Sequence, residues 1–214
     1  MKKNSRLHIG LIGASGRLGS AIQSLAAQDS TLLLTPYTRE RPVKIDPNID
    51  LYLDVSTPLS LPESLAAALK AQKPIVIGVT GHTLSLESAA KSIPIFHAPN
   101  FSLGMALMEK CAKLLASNFC ADIDLVEAHH KTKKDAPSGS ALRLKEAVGK
   151  NVTVHSIRAG HIVGHHTLYF NTPEESITLT HEAHSKEVFA KGALAAARFL
   201  LGKPPGLYTM ESLV

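Results

Sequence analysis

The stretch LHIGLIGASGRLG, residues 7–19, decides the fold of the first half of the chain. Residues 7–12 form an apolar run that predicts a buried strand, and the glycine-rich turn at 13–19 opens a predicted helix over 18–28. A second apolar strand is predicted at 32–35. This order is typical of a dinucleotide-binding βαβ unit, in which glycines let the backbone approach a pyrophosphate at a helix N-terminus. A plain strand–helix turn is the alternative.

The end of the second predicted strand bears on the choice between NADH and NADPH. In NAD-binding units an acidic residue at this place holds the ribose hydroxyls. Residues 35–39 read TPYTR, with no carboxylate before Glu40, and Arg39 could pair with a 2′-phosphate. The sequence therefore favours NADPH and leaves NADH open.

The alternation of strands and helices continues to about residue 101 and then changes. Up to that point the pattern predicts strands at 51–55, 74–79 and 94–97 and helices at 62–71 and 84–91. Beyond it the predicted elements are a helix at 103–117, a strand at 122–127, a helix at 138–148, strands at 152–158, 166–171 and 176–182, and a helix at 185–201. We therefore expect an α/β protein with a Rossmann dinucleotide-binding domain over 1–101 and 187–214. A smaller α+β domain with a mixed sheet is expected over 102–186.

Composition narrows the classes of function. No apolar stretch is long enough to cross a bilayer, and the basic start Met1–Arg6 is followed only by the short run 7–12, so we expect a cytoplasmic protein without a signal peptide. The net charge is +5, but aromatic residues make up only 5% and no helix has a dense Lys/Arg face. This indicates small anionic ligands rather than nucleic acid.

The two cysteines, Cys111 and Cys120, fit neither a disulfide framework nor a metal motif. Cys111 continues an apolar stripe at helical spacing, formed by Leu103, Leu107, Leu114 and Leu115. We therefore expect both cysteines to be buried packing residues.

The segment EAHHKTKKDAPSGS, residues 127–140, carries the candidate chemistry. Imidazoles at His129 and His130 are suited to proton transfer, and the Lys133 ammonium can donate a proton or hold a carboxylate. A helix that begins at Gly139 and Ser140 offers N–H groups and a hydroxyl to a second carboxylate. The pattern predicts an acid group with a clamp for a small dianion. An exposed polar loop is the alternative.

Other enzyme classes fit the sequence less well. No tyrosine has a lysine four residues later, as short-chain dehydrogenases require, and neither cysteine is predicted to be a nucleophile. A metal hydrolase could use the later histidines, which are His161, His165, His166, His181 and His184, but there is no H-E-x-x-H motif. We therefore expect no metal.

These motifs together resemble the 4-hydroxy-tetrahydrodipicolinate reductase (dihydrodipicolinate reductase) family. The matching pieces are GASGRLG at 13–19, DVSTP at 54–58, GVTG at 78–81, APNFS at 98–102, EAHHKTKKDAPSGSAL at 127–142, RAGHIVG at 158–164, FAKGA at 189–193 and GLYTM at 206–210. The resemblance implies reduction of a cyclic dicarboxylate by NAD(P)H to tetrahydrodipicolinate, with loss of water, in lysine and diaminopimelate biosynthesis. It also implies a homotetramer built through the C-terminal sheet.

The resemblance also implies the roles of individual residues. His129 and Lys133 would be catalytic, and His130, Lys133, Gly139 and Ser140 would bind the substrate carboxylates. The dinucleotide would be bound by Gly13, Ala14, Ser15, Gly16, Arg17, Leu18, Arg39, Gly78, Val79, Thr80, Ala98, Pro99, Asn100 and Phe101.

The sequence departs from the family pattern in several places. The stretches 39–49 and 142–158 are short, Lys186 stands where the family often has arginine, and His165 where it is often acidic. These departures leave a second hypothesis, an inactive dinucleotide-binding sensor or scaffold.

Overall fold

The computed structural model describes residues 6–149 and 151–214, and the chain divides into two compact units. The first unit runs to Ser102 and resumes over Glu187–Leu213, and the second spans Leu103–Lys186 together with Val214. Most of the basic segment Met1–Arg6 lies outside the described residues. Within the described ranges, none of the helices has the length and apolar character needed to cross a membrane.

The first unit begins as an alternation of strands and helices. Its elements up to residue 102 are β1 (Leu7–Ile12), α1 (Arg17–Ala26), β2 (Leu32–Tyr37), β3 (Leu51–Asp54), α2 (Leu61–Ala71), β4 (Ile75–Ile77), α3 (Glu87–Ala90) and β5 (Pro94–His97). The central strands are continuous apolar runs, and the side chains of Leu51–Leu53 and Ile75–Ile77 are fully buried. Such runs are expected where helices cover both faces of a parallel sheet.

The second unit is a mixed sheet with two helices. Its elements are α4 (Leu103–Asn118), β6 (Asp122–His129), α5 (Gly139–Val148), β7 (Val152–Arg158), β8 (Gly164–Asn171) and β9 (Ser176–Ala183). The strand order is β7-β6-β8-β9, with β6 and β7 parallel and the other pairs antiparallel. Alternate residues of the strands, such as Leu125, Leu168 and Phe170, form one buried core with residues of α4 and α5.

The chain then returns to the first unit through α6 (Glu187–Leu200), β10 (Gly206–Tyr208) and a 3₁₀ helix (Met210–Leu213). The strand β10 pairs with β5 and completes a parallel sheet of order β10-β5-β4-β3-β1-β2. Helix α6 passes very close to the backbone at Phe101, because a Cβ added at Gly192 would lie 1.7 Å from the Phe101 carbonyl oxygen. Any side chain at Gly192 would therefore force the helix away from that segment.

The strand order places a crevice between β1 and β3. These two strands are neighbours, and the chain leaves them towards opposite edges of the sheet. In doubly wound sheets this reversal opens a ligand crevice at the carboxyl ends of the strands. The predicted fold class, a Rossmann-type α/β domain with a smaller mixed-sheet domain, is confirmed.

The structure differs from the sequence prediction at several element boundaries. Strand β2 continues to Tyr37 and includes Pro36, which is possible because β2 is an edge strand and can lack one N–H donor. The helix predicted at 84–91 is only Glu87–Ala90. Strand β10 was not predicted, since its pattern is only three residues long and follows Pro204 and Pro205.

The prediction for the cysteines was wrong, because Cys111 and Cys120 are both exposed. Helix α4 has two apolar faces, and the face in the core is the smaller one, formed by Met105, Met108, Ala112 and Ala116. Leu103, Leu107, Cys111 and Leu114 point outwards, with Leu114 65% exposed, whereas Leu115 packs against the core. On this face Ala112 and Ala116 have short side chains, which let α4 lie close to α5 and to the sheet.

Candidate active site

The glycine turn of the first unit lies at the carboxyl end of β1. Gly13 has φ +81°, and a Cβ there would lie 2.8 Å from the backbone at Ser56. Only glycine fits, because the conformation is left-handed and the next loop is in contact. Helix α1 begins directly after Gly16, so its first N–H groups have no acceptor within the helix and present the positive end of its dipole.

A cavity of about 520 Å³ opens beside this turn. It is lined by Ile12, Gly13, Ser15, Gly16, Tyr37, Thr38, Arg39, Glu40, Pro42, Val43, Val55, Ser56, Thr57, Ser60 and Glu63. The cavity therefore joins the glycine turn to the end of β2, where Arg39 and Glu40 are exposed. The Glu40 carboxylate accepts a hydrogen bond from the Thr38 hydroxyl at 3.0 Å.

Asp54 holds one wall of this cavity in place. Its side chain is fully buried, and its carboxylate accepts from the backbone N–H of Ser56 at 2.9 Å and from the Ser56 hydroxyl at 2.6 Å. The Ser64 hydroxyl of α2 also donates to it. Burial raises the pKa of the Asp54 carboxyl, and the serine hydrogen bonds oppose that effect. Asp54 therefore keeps the loop at Val55–Thr57 against the glycine turn.

The other predicted cofactor-binding residues follow the next two strands of the same sheet. Residues 78–80 come directly after β4 and residues 98–101 after β5. The two segments meet, since a Cβ at Gly78 would lie 2.5 Å from the Phe101 ring. They do not line the cavity at the glycine turn, so the structure brings the predicted set together as two neighbouring groups along one sheet edge.

The second unit contains a buried ion-pair cluster at the end of β6. Strand β6 runs two residues beyond the predicted end, so Glu127 and His129 lie on the same face of the sheet as Leu125. The Glu127 side chain is fully buried, and its Oε2 accepts from His129 Nδ1 at 2.5 Å. Arg158 on β7 donates to both Glu127 oxygens, at 3.0 Å and 2.7 Å. This is a bidentate guanidinium–carboxylate pair, which is the strongest arrangement of these two groups.

The surroundings of Glu127 and His129 determine the protonation state of each side chain. Burial opposes the charged form of Glu127, but hydrogen bonds from Arg158, Ser156 and His129 outweigh it and hold the carboxyl pKa at about 2. Burial lowers the pKa of the His129 imidazole, Glu127 raises it, and Lys133 and Arg158 lower it, with a net decrease. Glu127 is therefore an anion at neutral pH, and His129 is a neutral imidazole that can exchange a proton.

The loop that carries Lys133 is tied to the strand after it by backbone bonds. The N–H of Ala159 donates to the His129 carbonyl at 2.9 Å, and the N–H of Lys131 donates to the Gly160 carbonyl at 3.3 Å. His130, half-buried, shares a hydrogen bond with the Thr132 hydroxyl at 2.8 Å. His129, His130 and the lysine loop thus belong to one local structure, as the sequence predicts for a single polar cluster.

A carboxylate already lies between Lys133 and the start of α5. Asp135 accepts from Lys133 Nζ at 2.8 Å and from the backbone N–H of Gly139. Ser138 is the N-cap of α5, and its hydroxyl accepts from the N–H of Ala141 at 3.2 Å. Lys133 and the first turn of α5, which includes Ser140, therefore form a place where a carboxylate group fits.

His166 on β8 completes the cluster. Its ring stands edge-on to the His129 ring at 5.2 Å, and its Nε2 lies 3.3 Å from the Ser138 hydroxyl. Burial lowers the His166 pKa to about 3, so this ring is neutral. One ligand atom each of Glu127, His129 and His166 lie within 4.8 Å of one another, but both Glu127 oxygens are bound to the Arg158 guanidinium. A cation there would have to displace that positive group. Of the five histidines considered as metal ligands, only His166 falls in such a group among the described residues.

The sequence analysis gave no site role to Glu127, Ser138 and Arg158, and considered His166 only as a metal ligand. The signal that could have found Glu127 is the alternation in β6, where it follows Ile123 and Leu125 at core positions. A carboxylate at a core position requires a partner, and Arg158 is the residue beside His129 on the neighbouring strand.

The first unit is a parallel sheet with a glycine turn at its switch point, and the second unit carries a histidine, a lysine and a buried carboxylate. This combination defines the class of two-domain dinucleotide-dependent oxidoreductases. Models of the N-terminus and of the C-terminus of dihydrodipicolinate reductase match residues 37–101 and 101–214. The chain is 39% identical to the 4-hydroxy-tetrahydrodipicolinate reductase of Xanthomonas campestris pv. campestris (strain B100), over 94% of this chain and 95% of that protein. The chain belongs to the dihydrodipicolinate reductase family, as the sequence motifs predicted.

Other similar proteins agree with this assignment. The 4-hydroxy-tetrahydrodipicolinate reductase of Caldanaerobacter subterraneus subsp. tengcongensis is 35% identical, over 94% of this chain and 96% of that protein. A dipicolinate-bound dihydrodipicolinate reductase from Paenisporosarcina sp. TG-14 has the same fold, with a TM-score of 0.83, 20% identity, and coverage of 98% of this chain and 100% of that chain.

The buried pair of Glu127 and Arg158 predicts a pH dependence of stability. The Glu127 pKa is about 2 in the folded chain against an ordinary value of 4.5. Its stabilisation is therefore fully present above the ordinary value and is lost as the pH falls towards about 2. Urea unfolding of the wild type and of Glu127→Gln should show a difference in unfolding free energy that is largest near neutral pH and narrows in acid.

The same measurement at high salt is the control. A buried pair is screened weakly, so the difference should persist there, whereas exposed pairs would lose theirs. Parallel stability curves for the two proteins across this pH range would contradict the assignment.

Proposed function

We propose that this protein reduces 4-hydroxy-tetrahydrodipicolinate to tetrahydrodipicolinate with NAD(P)H, in lysine and diaminopimelate biosynthesis. The observation that carries the proposal is the joint position of His129, Lys133 and the start of α5. A proton-exchanging imidazole lies within a few residues of a place that already accepts the Asp135 carboxylate. A cyclic dicarboxylate has the chemistry that such a site selects.

The first unit fits a nicotinamide dinucleotide. The left-handed turn at Gly13, the open start of α1 and the cavity beside them suit a pyrophosphate with its attached ribose. When bound, the cofactor supplies a hydride, and the substrate takes up a proton and releases water, which balances the reaction. The residues proposed to hold it are 13–18, 78–80 and 98–101, with Arg39 near the adenosine ribose.

The second unit supplies the acid–base groups. His129 is proposed to exchange a proton at the reacting ring, since its imidazole is neutral at working pH and stands beside a fixed anion. Lys133 is proposed as proton donor and carboxylate ligand, which requires that the substrate replace Asp135 as its partner. His130, Gly139 and Ser140 complete the proposed carboxylate site.

The inactive sensor or scaffold has less support. The histidine, lysine and helix start of the cluster are all present and connected, in spite of the short stretches at 39–49 and 142–158. The relatives that are 39% and 35% identical are named 4-hydroxy-tetrahydrodipicolinate reductases. The exposed free thiols Cys111 and Cys120 suit a reducing compartment, which supports the cytoplasm as location.

A coupled assay tests the activity. Dihydrodipicolinate synthase generates the substrate in place, and the absorbance of NADPH or NADH is followed. His129→Gln and Lys133→Ala should each lower kcat/KM by roughly 10²-fold or more, because each removes a proton-transfer or carboxylate-binding group. The matched controls His184→Gln and Lys145→Ala change exposed residues and should behave as the wild type. Tight dinucleotide binding without turnover of the wild type would refute the reductase and leave the sensor.

The cofactor preference is a second test. Arg39 lines the cavity, whereas the Glu40 carboxylate is already bound to the Thr38 hydroxyl, so we propose NADPH as the preferred cofactor. Arg39→Ser should raise the KM for NADPH by about tenfold and change that for NADH little, because only NADPH has a 2′-phosphate. Arg41→Ser, outside the cavity lining, is the control. An equal effect of Arg39→Ser on both cofactors would contradict this preference.

We further propose a homotetramer built through the mixed sheet of the second unit. On the face of this sheet away from α4 and α5, Tyr169 is exposed between Leu168 and Phe170 of the core, and Ile157 is exposed in register with Ala128. Sedimentation should give a mass of about four chains of 22.9 kDa. Tyr169→Lys should dissociate this assembly, and Leu114→Lys on α4 should not. A monomeric wild type would contradict the proposal.

A further inference from the structure

We propose that Glu127 is a positioning residue of this enzyme, which fixes the tautomer of His129 and, together with Arg158, joins His129, the Lys133 loop and the start of α5 into one frame. The inference rests on the proposed function, in which His129 exchanges the proton. Glu127 itself touches neither substrate nor cofactor in this scheme and acts only through its partners.

The geometry fixes which nitrogen of His129 carries the proton. An ionised carboxylate can only accept hydrogen bonds, so the contact of 2.5 Å between Glu127 Oε2 and His129 Nδ1 requires a proton on Nδ1. The other nitrogen, Nε2, is then the one that can take up and return a proton. Gly164 leaves room beside it, because a Cβ at that position would lie 3.3 Å from Nε2.

Arg158 keeps Glu127 in the charged form that this role needs. Its two terminal nitrogens bind both carboxylate oxygens, and the pair lies in the interior of the unit. A neutral carboxyl group could rotate and donate to Nδ1 instead, which would place the proton of His129 on Nε2. The guanidinium excludes that state because both oxygens already accept from it.

The same two residues also hold the substrate-binding segments. Glu127 Oε1 accepts from the backbone N–H of Ser138, the N-cap of α5, at 3.3 Å. Arg158 donates to the backbone carbonyl of Asp135 at 2.5 Å, two residues beyond Lys133. The proton-exchanging imidazole, the lysine loop and the helix start are therefore bound to one ion pair. A shift of that pair would move all three.

The groups that face His129 come from every element packed against it. Glu127 lies on its own strand, Arg158 on β7, Lys133 on the following loop and His166 on β8. Lys133 and Arg158 lower the His129 pKa, and His166 is neutral, which leaves Glu127 as the group that raises it. Loss of the Glu127 charge should therefore make His129 a weaker base.

Glu127→Gln is the variant that tests the role. Oε2 of Glu127 accepts from His129 Nδ1 and one Arg158 nitrogen, and Oε1 accepts from the other Arg158 nitrogen and the Ser138 N–H. An amide has one oxygen, and placing it at the Oε1 position leaves fewer of the Arg158 and Ser138 donors without an acceptor. This orientation turns the NH₂ group towards Nδ1 and favours the Nε2–H tautomer. Long-range ¹H–¹⁵N spectra of histidine-labelled protein should show His129 as Nδ1–H in the wild type and a shift to Nε2–H in Glu127→Gln.

Kinetics give the second readout. In Glu127→Gln, kcat should fall by roughly 10²- to 10⁴-fold, the upper value being that seen when the carboxylate that orients a catalytic imidazole is replaced by its amide. The acid limb of the pH profile should move to lower pH, because the anion that raises the His129 pKa is gone. A merely structural carboxylate would change neither the tautomer nor this limb. Glu109→Gln, which breaks a partly buried ion pair with Arg143 in the same unit, is the matched control and should leave both readouts at wild-type values.

The outcomes separate this inference from the proposed function. Wild-type His129 in the Nε2–H form would overturn the positioning role without any variant, and so would a Glu127→Gln protein that turns over within about twofold of the wild type. If Glu127→Gln does not fold, Glu127→Asp keeps the charge at a shorter reach and should retain the Nδ1–H tautomer with reduced kcat. A wild type without reductase activity would refute the proposed function, while its spectrum would still decide the tautomer.

Discussion

The structure of the second unit depends on one requirement, which is that the buried, ionised carboxylate of Glu127 be paired with hydrogen-bond donors. An unpaired charge in that position would cost several kcal/mol, so the strands around it are organised to supply donors. Arg158 reaches it from β7, the N-cap of α5 donates a backbone N–H, and His129 approaches from the same strand. The geometry of the candidate site follows from the satisfaction of this charge, since His129 and the start of α5 are both among its donors.

The candidate sites of the two units are built from different kinds of groups. In the first unit, backbone groups form the candidate site, because Gly13 has no Cβ and the first N–H groups of α1 have no acceptor within the helix. In the second, the site is made by charged side chains whose partners hold them still. Backbone dipoles suit a phosphate group, which is found in every dinucleotide, whereas placed acid–base groups suit one particular substrate.

Much of the fold could be predicted from local patterns, and the site only in part. Residues 7–19 predict strand, turn and helix because each feature is local, and the motif at 127–140 contains the imidazoles and lysine of the candidate site. The orientation of α4 could not be predicted, because Leu107 and Met108 lie on two different apolar faces of the helix. Which of the two faces is buried depends on the elements that pack against α4. Arg158 was missed for a related reason. Its partner lies 31 positions away, and the pairing depends on the register of β6 and β7.

The return of the chain to the first unit has a consequence for its synthesis. The parallel sheet lacks its edge strand β10 and the covering helix α6 until residues 187–208 have been made. During translation the second unit, which is continuous except for Val214, has all of its sheet and both helices before the first unit is finished. The nascent chain therefore passes through a stage in which Ile95 and Phe96 of β5 have neither strand β10 beside them nor α6 packed on them, and an exposed apolar strand edge of this kind is prone to aggregate.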